Sequence, residues 1–167
     1  MTVETEVACY IFLATETKEN VEDGLKAWKS VIPYTEEDVG GRFYIYIDKD
    51  FEYKRILEKT FACIVLLCSI HIFRYWKDKI LTSARSYEDD KQVTLDGEVK
   101  ASIYGQIKDL SSSPTEDIFC QRLQNLYQTS ANVYIKASQY ATEFEPFEDV
   151  FERNWNNCRG MWVKCYT

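Results

Sequence analysis

The sequence predicts an α/β fold: about three strands of a mixed or parallel sheet in residues 1–85, then an all-helical region in residues 92–165. Three observations carry this. Residues 42–47 read RFYIYI, an aromatic and β-branched run of strand length. Residues 62–67, ACIVLL, form a second continuous apolar run, the pattern of a strand buried on both faces. Around Ser86 such runs give way to apolar residues at helical spacing.

Taken in order, residues 7–15 form the first strand, and Val21, Leu25, Trp28 and Ile32 recur at helical spacing behind it. PYTEEDVGG, at 33–41, is a loop closed by two glycines. The 42–48 strand stops at Asp48, and a helix starts near Phe51. After the 62–67 strand, Ile72, Trp76 and Ile80 mark a helix that ends near Ser83. Residues 86–91 are a charged connector between the two regions. Val99, Ile103, Ile107 and Leu110 mark the next helix, stopped by Ser111, Ser112 and Ser113. Pro114 opens another at a position where its missing N–H does no harm, with Glu116 and Asp117 in the first turn. Phe119, Leu123, Leu126, Ser130, Val133, Ala137, Tyr140 and Phe144 then follow alternating spacings of 4 and 3, a seam for neighbouring helices. Pro146 breaks it, and a last helix carries Phe147, Phe151, Trp155, Cys158 and Trp162.

Composition limits the function classes. A chain of 167 residues with 46% hydrophobic and 15% aromatic residues has ample core material and is no disordered tail. Its net charge of −7 opposes duplex DNA, whose affinity comes from Lys and Arg neutralising phosphates. The clusters Glu36-Glu37-Asp38 and Glu88-Asp89-Asp90 would repel a backbone. The chain has no run of 18 apolar residues and no visible secretory signal, so an intracellular protein without a membrane span is expected. Cys9, Cys63, Cys68, Cys120, Cys158 and Cys165 lack a framework spacing and read as reduced thiols.

The chemistry-bearing stretch is IDKDFEYKRILEKTFACIVLLCSIH. Asp48 and Asp50 end a strand, where either could cap the following helix and Asp50 is the better cap. Cys68 and His71 have ligand types and a spacing that suit zinc, but a tetrahedral structural site needs four ligands. His71 is the only histidine of the chain, so a buried thiol beside a hydrogen-bonded His is the simpler expectation. Trp155 and Trp162 read as core and not as a base-stacking platform, because no Lys/Arg groove accompanies them.

Strand, Asp-Lys-Asp, helix, strand and Leu-Cys-x-x-His in this order resemble the middle of the catalytic domain of Mutator-like (MULE) transposases, most nearly the version in zinc-finger SWIM-type proteins. VACYIFLATETKENVEDGLKAWKSVIP ahead of it and FEPFEDVFERNWNNCRGMW behind it extend the likeness from about Val7 to Trp162. The resemblance implies an RNase H-like fold with an incomplete sheet of about three strands, followed by a helical insertion. It implies a family Asp-Asp-Glu triad that holds two Mg²⁺ or Mn²⁺ ions on DNA, in which Asp48 matches the second acid. The first acid belongs to an upstream strand and the third to a downstream helix, and neither has a match. His71 and Cys68 would stand beside the acids, with His71 orienting them. The SWIM zinc module has no counterpart in the chain.

The expected function is thus a transposase-derived segment without catalysis, nuclear, and with no cofactor of its own. Two alternatives remain open. One is a domesticated module that binds a protein partner. The other is a metal-dependent transposase or nuclease completed by other segments, for which Glu143, Glu145 and Glu148 would be the first additional acids to examine.

Overall fold

The computed structural model describes residues 17–31, 44–48, 51–88, 91–138 and 140–166, and the chain divides into two compact units, 1–66 and 67–167. The strand expected at 7–15, the loop at 33–41 and Asp50 lie outside the described residues.

The first unit contains α1 (Lys18–Val31), β1 (Tyr44–Ile47), α2 (Phe51–Phe61) and β2 (Ile64–Leu67), whose last residue falls in the second unit. Thr17 starts α1, its Oγ1 accepting from Asn20 N at 3.3 Å. The helical spacing of Leu25 and Trp28 then faces α2. Leu25 is buried, and the Trp28 ring meets Phe61 edge-on at 5.2 Å. Lys29 Nζ donates to the Thr60 carbonyl at 2.6 Å. Glu22 draws in Lys26 and Lys59 at 2.9 and 3.0 Å, which lowers its pKa through both hydrogen bonds. β1 and β2 are hydrogen-bonded neighbours. They occupy the expected 42–48 and 62–67 runs. β2 buries Val65, Leu66 and Leu67 while Ile64 stays 44% exposed.

The second unit holds α3 (Ser69–Ser83), β3 (Arg85–Glu88), β4 (Lys91–Thr94), α4 (Gly97–Ser111), α5 (Glu116–Thr129), β5 (Tyr134–Ile135), β6 (Glu145–Pro146) and α6 (Phe147–Asn154), then a 3-10 helix over Asn156–Met161. α3 and α4 bury the predicted stripes: Ile72, Trp76 and Ile80 on one, Ile103, Ile107 and Leu110 on the other. Asp96 caps α4, its Oδ1 accepting from Glu98 N at 2.7 Å and Val99 N at 3.4 Å. Thr115 caps α5, one residue after Pro114, and accepts from Ile118 N at 3.3 Å. Arg122 Nη1 donates to the Asp109 carbonyl and ties α5 to the end of α4.

Four expectations are corrected in this unit. The 86–91 connector is a hairpin, with Arg85 opposite Thr94 and Glu88 opposite Lys91. The 92–165 region is not all helix, because an antiparallel sheet of order β4-β3-β5-β6 runs through it. The seam from Phe119 to Phe144 is helical only as far as Thr129. Beyond that, Val133 and Ile135 are buried by a turn and a strand, and Tyr140 is 85% exposed. Pro146 does not break a helix but pairs with Tyr134 in β6. Short polar strands satisfy their backbone by pairing with distant segments, which local spacing does not reveal.

Aromatic rings fill the centre of this unit. Trp76 lies 5.3 Å from Phe147, 5.4 Å from Phe151 and 5.8 Å from Trp155, at tilted angles. Trp162 Nε1 donates to the Trp155 carbonyl at 3.0 Å, which folds the 3-10 segment back onto α6. Trp155 and Trp162 are core residues, as their spacing predicts.

Candidate functional site

The Asp48, Cys68 and His71 motif is built at two strand ends. Asp48 follows β1 directly and is exposed, in the first unit. Cys68 follows β2 as the N-cap of α3, with extended backbone (φ −66°, ψ 116°) and no side-chain cap hydrogen bond. A thiol accepts hydrogen bonds poorly, so α3 begins without the side-chain cap that Asp96 supplies to α4. The Cys68 carbonyl still accepts from Ile72 N at 3.1 Å.

The buried, hydrogen-bonded pair expected of Cys68 and His71 is not what the second unit contains. Cys68 is half-buried, and His71 is exposed, with no side-chain hydrogen bond among the described residues. Helix geometry explains this. Ile72, Trp76 and Ile80 turn one stripe of α3 inward, so His71 shares its side with Tyr75 and Asp78. Among the described residues no three His, Cys, Asp or Glu side chains converge as metal ligands. Of the additional acids, Glu145 pairs with Arg153 at 2.8 Å across β6 and α6, while Glu143 and Glu148 are exposed.

Next along that side of α3 lies a cleft of about 660 Å³, walled by Tyr75, Asp78, Lys79 and Thr82 and by Lys136, Ala137, Ser138 and Tyr140. Lys79 Nζ donates to the Lys136 carbonyl at 2.6 Å and sits 5.6 Å from the Tyr75 ring centre. Burial lowers the Lys79 pKa and raises that of Tyr75. The ammonium is engaged by a carbonyl and a ring, so its work is to pin the backbone at Lys136 to α3 and not to attack a substrate. Lys79 and Lys136 are far apart in sequence and one of the partners is a backbone carbonyl, so no motif announces the contact.

A second polar cluster joins α5 to α6. Tyr127 Oη donates a short hydrogen bond to Glu152 Oε1, and Asn156 Nδ2 donates to both Glu152 oxygens at 3.0 and 2.9 Å. Burial, then the adjoining carboxylate, pushes the Tyr127 phenol far above its usual value. A carboxylate satisfied by three donor contacts on its own unit is an internal strut.

No family model, no curated protein and no solved structure matches the chain. No helix among the described residues is long and apolar enough to cross a membrane.

Proposed function

We propose that this chain is a transposase-derived segment, of the Mutator-like and SWIM-type kind, without catalysis. One observation supports the ancestry above the others. The order β1, Asp48, α2, β2, Cys68 and α3 follows the family's strand, acid, helix, strand, Cys-x-x-His and helix, with Asp48 and Cys68 each directly after a strand. The RNase H-like fold, the nuclear setting and the DNA, Mg²⁺ or Mn²⁺ of the parent family belong to this proposal and to no other observation. Asp48 is the one carboxylate that falls on the family triad. A two-metal site needs several hard oxygen ligands around it. The net charge of −7 also opposes a phosphodiester substrate.

The test is a supercoiled-plasmid nicking assay with Mg²⁺ and with Mn²⁺, run on the chain and on Asp48→Asn. The expected outcome is the same background in both proteins. Nicking by the chain that disappears in Asp48→Asn would show an assembled metal site and overturn the non-cutting reading.

A further inference from the structure

The second unit carries a concave groove between α3 and α4 that neither the acidic motif nor the transposase ancestry explains. It measures about 220 Å³ and is floored by Ile80, Leu81, Ala101 and Tyr104. Ile80 is buried at its base, whereas Leu81 is 53% exposed on its wall. Ile70, 65% exposed, continues the same helical stripe of α3 through Lys77 to Leu81. An apolar hollow of this size accepts one bulky aliphatic or aromatic side chain and little more.

Two cations, Lys77 and Lys100, line that hollow and a third stands beyond it on α4. Lys100 Nζ reaches the Leu81 carbonyl at the last turn of α3, 3.4 Å away, which holds its charge at the mouth. Lys108 lies 4.6 Å above the Tyr104 ring and 6.0 Å from Phe73, extending the positive edge along α4. None of the three is paired with a carboxylate among the described residues. Of the three acids on these two helices, Asp78 walls the Lys79 cleft, Asp109 stands beside Arg122, and Glu98 is exposed in the first turn of α4 and is absent from the groove lining. In a chain with 27 acidic against 20 basic residues, this leaves a groove that is apolar at its floor and edged by lysines.

We propose that the α3–α4 groove docks an acidic peptide segment of a partner protein. One bulky apolar side chain of that segment fills the hollow, and Asp or Glu residues on either side of it meet Lys77, Lys100 and Lys108. The charge complementarity selects the segment and steers its approach, while the buried anchor supplies the hold. A nucleic acid fits less well. The Tyr104 face that would stack a base is covered by Lys108, and the net charge of −7 repels a long polyanion. The groove does not depend on the ancestry proposed above, and the nicking assay leaves it untouched.

Fluorescence anisotropy with the full chain tests this, using labelled peptides of about a dozen residues with Asp and Glu flanking a central Leu, Phe or Trp. At least one peptide should bind with a Kd in the range of about 1–100 μM. Replacing its anchor by Ser, or Lys77 by Glu in the protein, should each weaken binding about tenfold or more. Lys100→Glu should act in the same direction, and raising salt from about 0.05 to about 0.5 M should weaken the parent complex. Lys77 is exposed, so the thermal melt of Lys77→Glu should match the parent and exclude unfolding as the cause. Absence of binding to the whole peptide series would overturn the proposal. So would affinity indifferent to Lys77→Glu and Lys100→Glu, or equal affinity for the anchorless peptide. Lys77-dependent binding of a single-stranded oligonucleotide or of phosphatidylserine vesicles, without peptide binding, would reassign the groove to a polyanion. Lys77-dependent dimerisation in sedimentation would reassign it to a second copy.

Discussion

Tyr127 shows how much a single side chain can carry that its sequence position does not announce. It stands one residue after buried Leu126 on α5, yet its hydroxyl is the link to Glu152 on α6. Because the folded protein holds the phenol neutral well above pH 10, the unfolded chain loses that proton first as pH rises. The contribution is therefore complete below about pH 10 and is lost above it, towards the raised folded pKa. Tyr127→Phe should lower stability at neutral pH by about 1–2 kcal/mol. Urea melts from pH 7 to pH 11 should then show the parent falling more steeply than the variant above pH 10. Parallel curves would mean that the phenol is neither buried nor held by Glu152 in the folded protein. Asp48 and Cys68, by contrast, were legible at this scale, since a strand pattern that stops at a named residue places that residue at a strand end. The side chain of His71 was not: its exposure follows from which stripe of α3 turns inward, and burial of Trp76 decides that.

At the scale of elements, period decides what can be read. α3 and α4 were legible because their apolar residues recur along one face for several turns. β3 and β4 were not, because RSYE and KQVT are polar on both sides and gain their stability from pairing with each other and with β5. β5 and β6 contribute two residues each, too few for any period. The junction of α2 and β2 adds a feature of its own. Ala62 has φ of 50°, the left-handed conformation that ends many helices, and its N–H still bonds the Glu58 carbonyl at 3.0 Å. That conformation costs an L-residue about 1–2 kcal/mol, and glycine adopts it freely. Ala62→Gly should therefore stabilise the chain by about 1 kcal/mol, seen as a higher urea midpoint at unchanged slope. A destabilised variant would show that the methyl group packs or that the backbone there relaxes.

For the whole molecule, the sequence places a boundary near residues 86–91, whereas the compact units meet between Leu66 and Leu67. The reason lies in α3. Its inward stripe packs with Phe147, Phe151 and Trp155, so a helix that follows an apolar strand in the chain belongs with the helices far downstream. That long-range packing also gives the second unit a core of its own. A polypeptide of residues 67–167 should fold alone, with one cooperative thermal transition and dispersed amide resonances. A broad, non-cooperative melt would show that its core needs the preceding residues.

The placement of the indoles has a spectroscopic consequence. Trp76, Trp155 and Trp162 are buried in the second unit, and the fourth, Trp28, is half-buried on α1. Intrinsic emission of the native chain should thus be weighted to the blue and dominated by one unit. A fluorescence melt will follow the aromatic centre around Trp76, and loss of α1 alone will pass almost unseen by it.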